Sequence, residues 1–132
     1  MENNTIAFAL LRMAVAASMF GHGLVRLPKL SGFSQWMVTS FEKSMLPRTL
    51  VLPFSYVLPI AEFAIGLLLI LGLFTRPALI AGGIVMMMLI FGTTLIEDWH
   101  SLGSQLIHAA FFGVLLAFIQ YNGYALDRLI SK

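Results

Sequence analysis

Four apolar runs divide the chain: IAFALLRMAVAASMFGHGLVRL (6–27), LVLPFSYVLPIAEFAIGLLLILGLF (50–74), ALIAGGIVMMMLIFGTTLI (78–96) and LGSQLIHAAFFGVLLAFIQY (102–121). A helix needs about 20 mostly apolar residues, at ~1.5 Å rise each, to cross the hydrocarbon layer. Backbone in that layer must satisfy its own hydrogen bonds, so these runs are predicted as helices and not as strands. The expected fold class is all-α: an integral membrane four-helix bundle.

Polar and proline-bearing breaks separate the runs. Pro28 is expected to end the first helix. Thr75, Arg76 and Pro77 read as a short turn joining the second and third spans into an antiparallel hairpin. Residues 97–101 link the third and fourth, with Ser101 as the expected N-cap. Pro53 and Pro59 fall inside the second span and are expected to bend its first half. The longest connection is 31–47. Within it Phe33, Met37, Phe41 and Met45 recur every fourth residue, with Trp36 beside them and Ser34, Thr39, Glu42 and Lys43 opposite. This spacing predicts a short interfacial helix between the first and second spans, placed to act as a lid.

Composition strengthens the membrane reading. Of the 132 residues 59% are hydrophobic and 11% charged, against about 45–50% and about 25% in soluble domains. The length suits a single domain, 1–132. With so little polar sequence to coat it, a soluble fold is disfavoured, whereas lipid solvates such a surface. There are no cysteines, which excludes thiolate metal sites, Fe–S clusters and thiol redox chemistry in this chain. The net charge of +2 is scattered and gives no basic tract for nucleic acid. The apolar run 6–24 is longer than a signal h-region, follows the acidic MENNT and is not followed by an A-x-A site, so it is expected to be retained. Four spans bring both termini to one side. That side carries Arg76, Arg128 and Lys132, with Arg12 just inside; the other carries Arg26, Lys29, Lys43 and Arg48. The near-tie barely engages the positive-inside rule, and the expectation is cytoplasmic termini.

The informative residues are the polar ones inside the spans, because an ionisable group there usually faces the bundle interior and has a partner. Glu62 is the deepest, with Gly66 one turn on. It reads either as a helix-locking carboxylate, protonated or paired with arginine, or as a proton- or ligand-binding one. Arg12 either snorkels to the interface or pairs with Glu62. His22 and Arg26 share a helix face, as do Gln105 and His108. Arg26 and Lys29 read as interface anchors. Ligation of haem by the two histidines is disfavoured, no covalent attachment motif is present, and no metal site is assigned. The candidate ligand set is therefore His22, Glu62, Gln105 and His108, from three spans. Arg12, Arg26, Lys29 and Arg76 are assigned structural or charge-pairing roles. If the four ligand candidates converge, they form an apolar cavity with a few polar groups, suited to a small molecule. Histidine and glutamate can bond the oxygens of a quinone and exchange protons with a quinol.

Three stretches carry a family resemblance. Arg12 precedes GHGLVRLPKL (21–30); EFAIGLLLILGLFTRP spans 62–77; and a polar, aromatic, histidine-bearing segment covers 97–108. With these the chain resembles the DoxX family of small four-helix bacterial membrane proteins, relatives of the DoxD subunit of thiosulfate:quinone oxidoreductase. The resemblance implies a four-helix fold in the bacterial inner membrane. It also implies a membrane subunit beside a redox partner that carries the electrons, with Arg12, His22, Lys29, Glu62 and Arg76 matching the motifs. Gln105 and His108 fall where relatives often place polar groups. Three functions follow as expectations. The first is a quinone- or hydrophobe-binding subunit of an oxidoreductase system, not catalytic alone. The alternatives are a small proton-coupled transporter, acting as a homo-oligomer, and an assembly subunit in which Arg12 and Glu62 lock two helices.

Overall fold

The computed structural model describes residues 2–130. Lys132, counted above among the charges near the termini, lies outside the described residues. Helix α1 (Glu2–Arg26) runs through a 3-10 turn (Leu27–Lys29) into α2 (Leu30–Ser40). Then follow α3 (Arg48–Leu71), α4 (Thr75–Leu95), α5 (Trp99–Ala117), a 3-10 turn (Ile119–Tyr121) and the short α6 (Leu126–Ile130). No strand occurs among the described residues. Four helical stretches are long and apolar enough to cross a membrane: α1 with its continuation into α2, α3, α4 and α5. The protein is an integral membrane helical bundle, and α2 occupies the segment expected to hold the short connecting helix.

The seam between α1 and α3 fixes the register of the site. Gly23 lies against the backbone of Phe63, and Gly66 against the backbone of Phe20. A Cβ at either glycine would overlap the facing main chain, so only glycine permits this approach. The pairs run in opposite senses, which makes α1 and α3 antiparallel. The core along and around the seam contains Val15, Met19, Leu58, Leu69, Leu79 and Phe112, all buried. Helix α3 continues unbroken across Pro53 and Pro59, the latter fully buried.

Helix α2 packs on α3 through a polar contact that its amphipathic spacing did not suggest. Ser34, expected on the outward face, is buried, with its Oγ 2.7 Å from Ser55 Oγ. Ser55 gives its own proton to Leu52 O at 2.6 Å. Ser34 must therefore donate to Ser55. Met37 is buried as the spacing predicts, while Met45 lies beyond the end of the helix and is exposed.

Two helix boundaries differ from expectation. The α3–α4 turn is Gly72–Phe74, and Thr75, Arg76 and Pro77 form the first turn of α4. Gly72 takes the left-handed conformation (φ 68°), and Leu73 N–H returns to Leu68 O at 2.9 Å, closing α3 in a Schellman-type cap. Pro77 is tolerated because first-turn N–H groups have no intrahelical partner. Helix α5 begins at Trp99, and its cap is Asp98 in place of Ser101. Asp98 accepts from Ser101 Oγ at 2.8 Å and from Ser101 N–H at 3.3 Å. An aspartate cap satisfies the same orphan donors one turn earlier.

Candidate functional site

A cavity of about 640 Å³ opens between the helices in the half of the bundle that holds the α2 connection. His22 and Arg26 of α1, Phe33 of α2, Glu62 of α3 and Gln105 and His108 of α5 line it, among largely apolar walls. Its volume lies within the roughly 300–1,000 Å³ common for small-molecule sites.

Glu62 is held by Arg26. Nη1 of the arginine lies 2.8 Å from Oε1 of the carboxylate, whose side chain is only 4% exposed. The guanidinium carbon also sits 4.5 Å from the centre of the Phe33 ring, a cation–π contact that ties α2 to the pair. Of the alternatives for Arg12, pairing with Glu62 is thereby excluded, and Arg26 is the residue that pairs there. The antiparallel seam sets Arg26 opposite Glu62. Arg12 lies 14 residues earlier on the same helix, about 21 Å away along the axis.

Arg12 belongs to the other half of the bundle. It is buried and does not snorkel. Its Nη1 donates to Asn122 Oδ1 at 2.7 Å, and its Nη2 to Tyr124 O at 2.8 Å. Asn122 Nδ2 passes the network on to Thr75 Oγ1 at 3.0 Å. Asp127 then accepts from the N–H groups of Phe74 (2.7 Å) and Thr75 (2.8 Å), at the start of α4. Those bonds hold Phe74 in its left-handed backbone conformation, φ 49°. Partial burial pushes the Asp127 carboxyl up. Hydrogen bonds from Thr75 and Phe74, with the Arg12 charge, outweigh it and hold the group below the ordinary carboxylate range.

The two histidines of the cavity are joined through Ser18. His22 Nδ1 lies 2.6 Å from Ser18 O, and Ser18 Oγ lies 2.6 Å from His108 Nε2. His108 Nδ1 lies 2.7 Å from Ser104 O. The rings stand nearly perpendicular, 6.2 Å between centres. Gln105 Oε1 is enclosed with no hydrogen-bond partner among the described residues. Lys29 stands exposed in the 3-10 turn outside the cavity. Arg76 is exposed and lines a shallower cleft of about 290 Å³ with Asn122, Asp127 and Arg128.

Sequence reasoning missed Ser18, Asn122 and Asp127. Ser18 carries a detectable signal, since it lies one turn before His22 on the same face. Asn122 and Asp127 follow the last apolar run, so a search confined to polar groups within spans passes over them.

A family model for DoxX matches residues 7–95, covering α1 to α4 with His22, Arg26 and Glu62. Gln105 and His108 fall outside the matched stretch. No curated protein matches the chain, and no solved structure does. With two thirds of its length in that match and four helices fit to span a membrane, the chain belongs to the DoxX family.

Proposed function

We propose that this protein is the membrane subunit of a quinone-linked oxidoreductase system and that the cavity takes the ring of a quinone or quinol. The observation that carries the reading is the cavity itself. Its walls are largely apolar, and its polar groups include His22 and His108, an arginine–carboxylate pair and an amide whose oxygen has no partner among the described residues. These groups fit a flat ring bearing two oxygens. Such a ring, when bound, supplies two-electron chemistry coupled to protons.

The residues then divide the work. Arg26 offers its remaining N–H donors to a ring oxygen while Glu62 holds it in place. His22 exchanges a proton at Nε2. Phe33 and the aliphatic walls exclude water. A cysteine-free chain has no Fe–S or thiol centre, so the electrons pass to or from a separate redox partner. The proposed setting is the bacterial inner membrane, with cytoplasmic termini.

Solvent extraction and chromatography of protein purified in mild detergent test the reading. Wild type is expected to carry near-stoichiometric quinone, and folded Glu62→Gln and His108→Ala variants to have lost it. No quinone in well-folded wild type, even after it is added back, would overturn the reading and favour transport or assembly.

A further inference from the structure

Hydrogen-bond partners assign the protons on both cavity histidines. Ser18 O and Ser104 O are carbonyl oxygens and can only accept, so His22 Nδ1 and His108 Nδ1 each carry a hydrogen. A neutral imidazole has one N–H, so in that form Nε2 of each ring is a bare lone pair. On His108 that lone pair is used, because the Ser18 hydroxyl donates to it at 2.6 Å. On His22 no described residue bonds to Nε2, and the side chain keeps accessible surface. The two rings therefore differ: Nε2 of one is closed by the protein, and Nε2 of the other is left free on a side chain that lines the cavity.

We infer that His22 Nε2, fixed as an acceptor by the Ser18 carbonyl, makes the cavity select the hydroxyl-bearing hydroquinone form of its ligand over the quinone. The inference rests on the quinone reading of the cavity and names the redox form it favours. A ring hydroxyl donates to Nε2, whereas a quinone carbonyl sets lone pair against lone pair. The other charged groups do not reverse this. Arg26 donates to a carbonyl or a hydroxyl oxygen alike. Glu62, paired with Arg26, adds acceptor capacity. Asp98 at the rim is engaged with Ser101. The enclosed Gln105 oxygen is a further acceptor without a donor.

The test is isothermal titration of the detergent-purified full chain, without oxygen, with three probes that share one ring. These are trimethylhydroquinone, its dimethyl ether and trimethylbenzoquinone. The hydroquinone is expected to bind about tenfold more tightly than the other two. That ratio corresponds to a two-electron potential raised by about 30 mV on the bound couple. His22→Leu is expected to level the three affinities. Ser18→Ala keeps the backbone carbonyl, and with it the His22 tautomer, so it is expected to retain the preference. Nitrogen NMR of labelled histidine in ligand-free wild type checks the same point without any variant: the neutral His22 ring is expected to carry its hydrogen on Nδ1. Equal binding of the hydroquinone and its ether, or a protonated Nε2 beside a bare Nδ1, would overturn the inference and leave the quinone site standing. Failure of all three probes to bind would instead remove the quinone reading, and this inference with it.

Discussion

Arg12 and Arg26 sit on one helix, 14 residues apart, and the protein treats them differently. Arg12 is buried, and two of its nitrogens are taken by groups of the C-terminal segment, which folds back over the α3–α4 turn. Gly72 and Ala125 press together beside it, and the cleft of about 290 Å³ that Asn122 lines is less than half the volume of the cavity. Arg26 is partly exposed, bonds one carboxylate oxygen and borders a cavity of about 640 Å³. A polar network closed by its own chain specifies structure, and here both terminal nitrogens of Arg12 are engaged, its Nε alone being enclosed without an acceptor among the described residues. Polar groups left with spare donors and acceptors around a void point to a ligand. The same residue type on the same helix thus serves a fastening in one half and borders the candidate site in the other.

The seam between α1 and α3 supports both halves, and breaking it should have the largest effect. Gly66→Ala drives a methyl into the Phe20 backbone, and is expected to destabilise the protein by about 3 kcal/mol. Thermal unfolding in detergent checks this. Gly21→Ala is the control: nothing lies within 4 Å of its added Cβ, so the gain in helix propensity should leave stability unchanged or raised by up to ~1 kcal/mol. Next comes Arg12→Leu, which leaves Asn122 Oδ1 and Tyr124 O without their donor. A loss of about 2–3 kcal/mol is expected, with ligand binding by the folded protein unchanged.

A double-mutant cycle sharpens the contrast at smaller scale. Arg26 and Glu62, in contact at 2.8 Å, should show a coupling of about 1–2 kcal/mol. Arg12 and Glu62 should be additive to within ~0.5 kcal/mol. Comparable coupling in both cycles would mean that the two halves are not separate units. The smallest effect concerns Asp127. Its folded-state pKa is depressed, so its contribution is present above its unfolded value, about 3.9. That contribution is lost as pH falls through the lower folded value. Wild type should lose stability in that acid window, and Asp127→Asn should flatten this part of the pH profile.

The sequence made the architecture legible because hydrophobic run length alone decides whether a helix spans a bilayer. The polar residues of the spans were legible as individuals for the same reason: each is conspicuous against apolar neighbours. Their partners were not. Depth counted from predicted helix ends placed Arg12 near Glu62, yet pairing depends on interhelical register. The Gly23–Phe63 and Gly66–Phe20 contacts set that register, and nothing in a single helix reveals it. Boundary shifts had local causes. Gly72 ended α3 before the Thr-Arg-Pro triplet, and Asp98 capped α5 before Ser101 could. The C-terminal fastening was hidden for a different reason. Asp127 acts by folding back over more than fifty residues of chain onto Phe74 and Thr75, and Asn122 over more than a hundred onto Arg12.

The most direct test of the division between fastening and site is the shift in unfolding temperature on adding a soluble short-chain quinone, measured in parallel for wild type, Arg12→Leu and Glu62→Gln. Ligand at a hundred times its Kd stabilises a folded protein by about 2.7 kcal/mol. Wild type and Arg12→Leu should therefore rise by similar amounts, the latter from a lower start, while Glu62→Gln should rise little from its own starting temperature. A shift that vanishes in Arg12→Leu but survives in Glu62→Gln would contradict the account.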